Sequence, residues 1–227
     1  MDRIEPKIVP LGENAVVVEF GRVISEDLNQ QATGLAKYLA ENPFTGFVEA
    51  VPAYASTTVF FDPHRLYPAD GIGGPISSSV ISKVNDAINK MTTGAAASAA
   101  VIQIPATFDL ESGPDLEFVA AESGLSIDDV IELFTSSSYR VFMIGFLPGF
   151  AYMGEVDDRI ALPRKQQPRQ RVPKGSIGIA GRQTGIYPLE SPGGWQLIGR
   201  TKIELFTPHA ERPTLFQPGD LVRFVPA

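Results

Sequence analysis

Residues 139–150 read YRVFMIGFLPGF, and residues 163–200 read PRKQQPRQRVPKGSIGIAGRQTGIYPLESPGGWQLIGR. Tyr139 to Phe146 is a nearly continuous apolar run, the pattern of a strand buried on both faces. It breaks at Leu147-Pro148-Gly149-Phe150, where Pro in second and Gly in third position specify a type II turn; Ser191-Pro192-Gly193-Gly194 has the same form. Both turns read either as tight barrel corners or as places where a ligand approaches backbone amides. Between them β-prone pieces alternate with Gly175, Gly178, Gly181 and Gly185. Many short, turn-separated strands with helices outside them predict a closed or nearly closed β-barrel.

The same stretch is lopsided in charge. The chain carries a net charge of −7, yet from Arg159 to Lys202 nine of its 19 Lys and Arg meet one of its 26 Asp and Glu, Glu190. Pro163, Pro168 and Pro173 are each followed by a base: Arg164, Arg169 and Lys174. Proline fixes φ and cannot donate to a sheet ladder, so a stiff, edge-like path is expected here. Arginine grips carboxylate or phosphate bidentately, which suits an anionic ligand or an acidic partner. The competing reading is a solvated basic edge that blocks aggregation.

Moving outward, residues 1–92 read as an α+β domain, 93–100 as a small-residue linker, and 101–227 as the barrel domain. Ala15–Phe20 suits a strand, and Ser25 an N-cap for a helix with Leu28, Ala32, Leu35 and Leu39 on one face. Asn42-Pro43 stops that helix. Phe47–Pro52 and Thr57–Phe61 suit strands, and Ile76–Met91 a second helix. Strand, helix, two strands, helix is a ferredoxin-like order with its last strand missing or supplied elsewhere. Past the linker come a strand at Val101–Pro105, two short helices, and a last strand at Leu221–Val225. Gly124 ends the first of those helices, and Ser126 with Asp129 caps the second.

Several functions are excluded or disfavoured. With no cysteine there are no disulfides, thiolate metal sites or Cys nucleophiles, and a cytoplasmic setting fits. His64 and His209 lie far apart, so no metal site is expected; His209, between two prolines, reads as a loop residue. No Ser-His-Asp set assembles. Asp157-Asp158 reads as a turn and Asp128-Asp129 as a helix first turn. The acidic balance argues against nucleic acid, no run is long and apolar enough for a membrane, and no apolar leader opens the chain. A Gly-x-x-x-x-Gly-Lys-Ser/Thr loop is absent from the sequence.

GFLPGFAYMG followed by ALPRKQQPRQRVPKGSIGIAGRQTGIYPLESPGGWQLIGRTKIELF resembles the signature of the Kip inhibitor / allophanate hydrolase subunit 1 family. LGENAVVVEFG, VEAVPAYASTTVFFDP and GPDLEFVAAESGLS extend the resemblance over essentially the whole chain. It implies a cyclophilin-like barrel after the α+β domain, without implying prolyl isomerase activity. It implies a non-autonomous subunit of a heteromeric, ATP-dependent 5-oxoprolinase. That enzyme works with a homologous subunit 2-type (C-type) chain, with a third subunit left open, and with ATP shared with or supplied by partners. The family also implies two alternatives: inhibition of a sporulation histidine kinase, and a carboxyltransferase role in urea or allophanate metabolism. Charge and motif position single out Arg164, Arg169, Arg171, Gln183, Tyr187 and Arg200 as substrate- or anion-binding residues. Pro148, Gly149, Gly193 and Trp195 are expected as pocket wall or turn, Trp195 reading equally as core. Two departures stand out. Phe134-Thr135 occupies the place of a family histidine, and Met153-Gly154-Glu155 replaces a Gly-Gly-Leu-type turn.

Overall fold

A computed structural model describes residues 6–66, 75–91 and 101–227. The chain divides into two compact units, Met1–Ala97 and Ser98–Ala227; the linker expected at 93–100 lies outside the described residues.

The first unit is a four-stranded antiparallel sheet. Its strands are β1 (Lys7–Leu11), β2 (Ala15–Glu19), β3 (Phe47–Pro52) and β4 (Ser56–Phe61), in spatial order β1-β2-β4-β3. Helices α1 (Glu26–Glu41), α2 (Pro63–Leu66) and α3 (Ile76–Lys90) complete it. The ferredoxin-like order is not confirmed, because the edge place beside β2 is filled by β1, a strand that precedes it. The sequence KIVPL hid that strand: Pro10 argues against a central strand and is tolerated because β1 is an edge. Ser25 does cap α1, its hydroxyl accepting from the Leu28 N–H at 3.3 Å. Leu35, Leu39, Val59, Phe61, Val80 and Val84 are buried together, as the helical and two-residue periods require. The Thr57 hydroxyl donates to the Ala32 carbonyl at 2.7 Å, tying α1 to the sheet.

The second unit is a mixed, nearly closed barrel. Its strands are β5 (Val101–Ala106), β6 (Tyr139–Ile144), β7 (Ala151–Gly154), β9 (Ser176–Ala180), β10 (Gln183–Ile186), β12 (Gln196–Arg200) and β13 (Leu221–Pro226). The spatial order is β12-β9-β10-β7-β6-β13-β5, with β13 and β5 parallel and the other pairs antiparallel. Just past β5, Thr107 exchanges two backbone hydrogen bonds with Arg200, at 2.8 and 2.9 Å, which brings the two edges together. A separate ribbon pairs β8 (Arg169–Val172) with β11 (Ser191–Gly193). Helix α4 (Leu116–Ser123) packs on β12, and α5 (Ile127–Ser136) on β13. Gly124 ends α4 at φ 66°, and Ser126 with Asp129 forms a full capping box on α5.

The interior is filled by Val141, Met153, Ile177, Ile179, Ile186, Ile198 and Phe224, continuous with Val119, Val130 and Phe134 of the helices. Phe134 is fully buried, and its ring lies 4.9 Å from Phe224 and 5.0 Å from Tyr139. Of the two positions where a family histidine was expected, Phe134 is therefore core and Thr135 is only half-buried. Phe134→Ala is expected to cost about 3–5 kcal/mol and Ser126→Ala about 1 kcal/mol, both read from urea unfolding midpoints.

Candidate functional site

A second apolar layer lies on the opposite side of the same strands. Ala151 and Met153 point into the main core while Phe150 and Tyr152 point away from it, as the pleat dictates. The outer layer gathers Phe150, Val172, Tyr187, Trp195 and Leu197, with Leu147 and Tyr152 beside them. Phe150 is its centre, with ring centroids at 4.8 Å to Tyr152, 5.4 Å to Tyr187, and 5.5 Å to both Trp195 and Phe146. These edge-to-face contacts are the favoured geometry for aromatic pairs.

The glycines explain why the rings can lie there. A Cβ on Gly178 would stand 2.9 Å from Trp195 Cβ, one on Gly185 would stand 2.9 Å from Phe150 Cζ, and one on Gly193 would collide with the Tyr187 hydroxyl. Gly178, Gly185 and Gly193 thus serve ring packing, whereas Gly175 meets the Thr201 carbonyl and Gly181 faces open space. The Leu147–Phe150 turn is present, with Gly149 at φ 82° and the Phe150 N–H donating to the Leu147 carbonyl at 2.9 Å. The type II turn expected at Ser191–Gly194 is not: Gly193 has no positive φ and belongs to β11.

Phe146 stands at the edge of this layer, 60% exposed, and is the one non-glycine residue with positive φ among the described residues, at 67°. Such a conformation costs roughly 1–3 kcal/mol and collects at functional sites. Reading the apolar run as strand through Phe146 hid it; β6 ends at Ile144. Arg164 is exposed, and its charge acts on the phenols of both Tyr152 and Tyr187. Burial raises the pKa of each phenol, against the smaller opposing pull of Arg164 and, at Tyr187, of the Trp195 N–H. Both therefore remain neutral donors at physiological pH. Aromatic faces, two neutral phenols and a guanidinium are suited to a small planar ligand bearing a carboxylate.

Of the remaining candidates, Arg169 also acts with its charge on the Tyr187 phenol, more weakly than Arg164, and the others do not converge here. Arg169 is drawn to Asp115, whose Oδ1 accepts from Arg169 Nη2 and from Lys165 Nζ, each at 2.8 Å. Asp115 Oδ2 accepts the Leu197 N–H at 2.7 Å, and the Asp115 N–H donates to the Leu197 carbonyl at 2.9 Å. Arg171 pairs with Glu190 on the surface. Gln183 opens β10 opposite Gly154 and Ala180. Arg200 faces a different cleft. Trp195 is 8% exposed and is core of the outer layer. Sequence reading missed Asp115 altogether, since its partners lie 50 and 54 residues away.

Residues 6–216 match the family model described as "Carboxyltransferase domain, subdomain C and D". The chain belongs to that family. Two family relatives, both named as the B-type subunit of 5-oxoprolinase, align over nearly the full length. That of Bacillus subtilis is 43% identical, over 96% of this chain and 92% of its own. That of Escherichia coli O157:H7 is 40% identical, over 95% and 94%. A solved structure titled TTHA0988 superposes with a TM-score of 0.81 at 39% identity, covering 94% of this chain. The present chain spans only 40% of that solved chain. In this carboxyltransferase-domain chain Glu155 accepts from Arg182 Nη2 at 2.7 Å, on the surface.

Burial pushes the Asp115 carboxyl up, but the hydrogen bonds from Arg169, Lys165 and the Leu197 N–H outweigh it and hold its pKa below the ordinary 3.8. A depressed carboxyl contributes stability above its unfolded-state pKa and loses it as pH falls through the folded-state value. Asp115→Asn is expected to lower stability by about 2–3 kcal/mol at neutral pH. The Tm gap to wild type should hold down to about pH 5 and shrink below about pH 4; a gap that widens in acid contradicts this role.

Proposed function

We propose that this chain is the B-type component of a heteromeric, ATP-dependent 5-oxoprolinase, which turns 5-oxoproline, ATP and water into glutamate, ADP and phosphate. The observation that carries this reading is the 43% identity to a B-type 5-oxoprolinase subunit across 96% of the chain.

The outer aromatic layer supplies the geometry. 5-Oxoproline is a small lactam ring with one carboxylate. The exposed Phe146 offers a face for the ring, with the buried Phe150 packed edge-on beneath it, and Arg164 a fork for the carboxylate. The half-buried Tyr152 phenol offers a donor to the lactam oxygen, where negative charge grows as the carbonyl is attacked; the Tyr187 phenol, buried beside it, acts as a positioning group. The layer holds no nucleophile and no general base, and the sequence has no phosphate-cradling Gly-Lys-Ser/Thr loop. We take the chain to be inactive alone, with a homologous subunit 2-type (C-type) partner completing the site, with ATP shared with or supplied by partner subunits, and with a third subunit left open. That the matched region makes up only 40% of the TTHA0988 chain accords with a module that works joined to others. We read the barrel as cyclophilin-like and the setting as cytoplasmic; the lack of cysteine supports the latter, and no described helix is long and apolar enough to cross a membrane.

Turnover of 5-oxoproline by the reconstituted subunits should require this chain. Full activity in its absence would end the proposal. Within the complex, Arg164→Ala is expected to raise KM for 5-oxoproline about tenfold with a smaller effect on kcat. Tyr187→Phe should lower kcat.

A further inference from the structure

Away from the aromatic layer, the second unit holds a cleft of about 930 Å³ lined by Lys174, Arg200 and Lys202. Pro105, Ala106 and Ile203 give it apolar surface, and Glu111 and Ser112 also border it. Its cationic wall is fixed in place by backbone. Arg200 is locked to Thr107 by two main-chain hydrogen bonds. The Thr201 N–H donates to the Gly175 carbonyl at 2.9 Å, and Gly175, at φ 82°, leaves no room for a Cβ against the Thr201 carbonyl. Arg200 Nε donates to the Lys174 carbonyl at 2.9 Å, which leaves its two terminal nitrogens for another acceptor. Glu204 binds Lys174 at 2.7 Å, whereas neither Arg200 nor Lys202 has an acidic partner within ion-pair distance among the described residues.

A lone carboxylate would be satisfied by the arginine fork. An arginine and two lysines around one cleft suit a group with three acceptor oxygens and up to two charges, which is a phosphoryl group. The volume lies in the range of small-molecule sites and exceeds what free phosphate fills. The apolar surface beside the cations suits an uncharged remainder of the ligand. We propose that this cleft binds a phosphorylated small molecule of nucleotide size, with Arg200 and Lys202 as its principal phosphate contacts and Lys174 assisting.

Isothermal titration of the full chain alone, at low salt, with pyrophosphate, ATP and adenosine tests this without any 5-oxoprolinase turnover, so it stands or falls separately from the proposed activity. Pyrophosphate and ATP should both bind, ATP more tightly, and adenosine should not. Arg200→Ala and Lys202→Glu should each weaken both anions at least about tenfold, while Lys37→Ala, in the other unit, changes nothing. Lys202→Glu alone decides the matter if Arg200→Ala fails to fold. Absence of saturable anion binding, affinities indifferent to these substitutions, or ATP binding no tighter than pyrophosphate would each overturn the proposal.

Discussion

One buried carboxylate, that of Asp115, holds three parts of the barrel unit in register. Its side chain and its own backbone both bond Leu197, so the start of α4 is stitched along the free edge of β12. The other oxygen collects Lys165 and Arg169 from the proline-punctuated segment. Two further bonds lay that segment down: the Lys165 N–H donates to the Gly194 carbonyl at 2.7 Å, and Gln196 Nε2 donates to the Pro163 carbonyl at 2.9 Å. Arg164 sits between these anchors. Its place at the edge of the aromatic layer is therefore a consequence of the Asp115 network, although Arg164 itself makes no part of it. Burying a carboxylate is costly unless its oxygens are satisfied, and here both oxygens of Asp115 find donors.

The local grammar of the chain was readable. Ser25, Gly124, Ser126 and Asp129 mark helix ends by hydrogen bonds within a few residues, and the structure makes those bonds. The apolar period of α1 predicted its buried face. What escaped was non-local. Pro10 disguised an edge strand whose pairing with β2 is set by the sheet. Nothing near Asp115 announces partners fifty residues on. The glycines of residues 175–194 carry a clear signal of close approach, but the sequence does not say what approaches. At Gly178, Gly185 and Gly193 the visitors are Trp195, Phe150 and Tyr187, and at Gly175 it is the Thr201 carbonyl.

The candidate site was legible as a region and not as a set. Tyr187, Gly193, Trp195 and the Leu147–Phe150 turn do belong to one layer, because strands one pleat apart present them on one side. Arg169, Arg171, Gln183 and Arg200 share the region's charge or polarity but leave the layer, since side-chain direction follows strand register and not sequence proximity. Phe146, the apolar member nearest solvent, was hidden inside an apolar run that looked like uniform core, and Tyr152 lies just past the turn that ends it.

The positive stretch also changes meaning once its partners are known. Acids from outside it answer most of its cations: Asp157 for Arg159, Asp115 for Lys165 and Arg169, Glu204 for Lys174, and Glu155 with Asp158 for Arg182. Glu190, from within, answers Arg171. The surface pairs contribute little stability individually, but together they cancel the field that the sequence advertises. Among the described residues Arg164, Arg200 and Lys202 remain without such acids, in two places. One borders aromatic rings and neutral phenols; the other lines a cleft. A chain that neutralises six cations of a nine-cation segment and leaves three uncompensated in those two settings concentrates its attraction for anions there, which is what two anion-recognising surfaces on one barrel require.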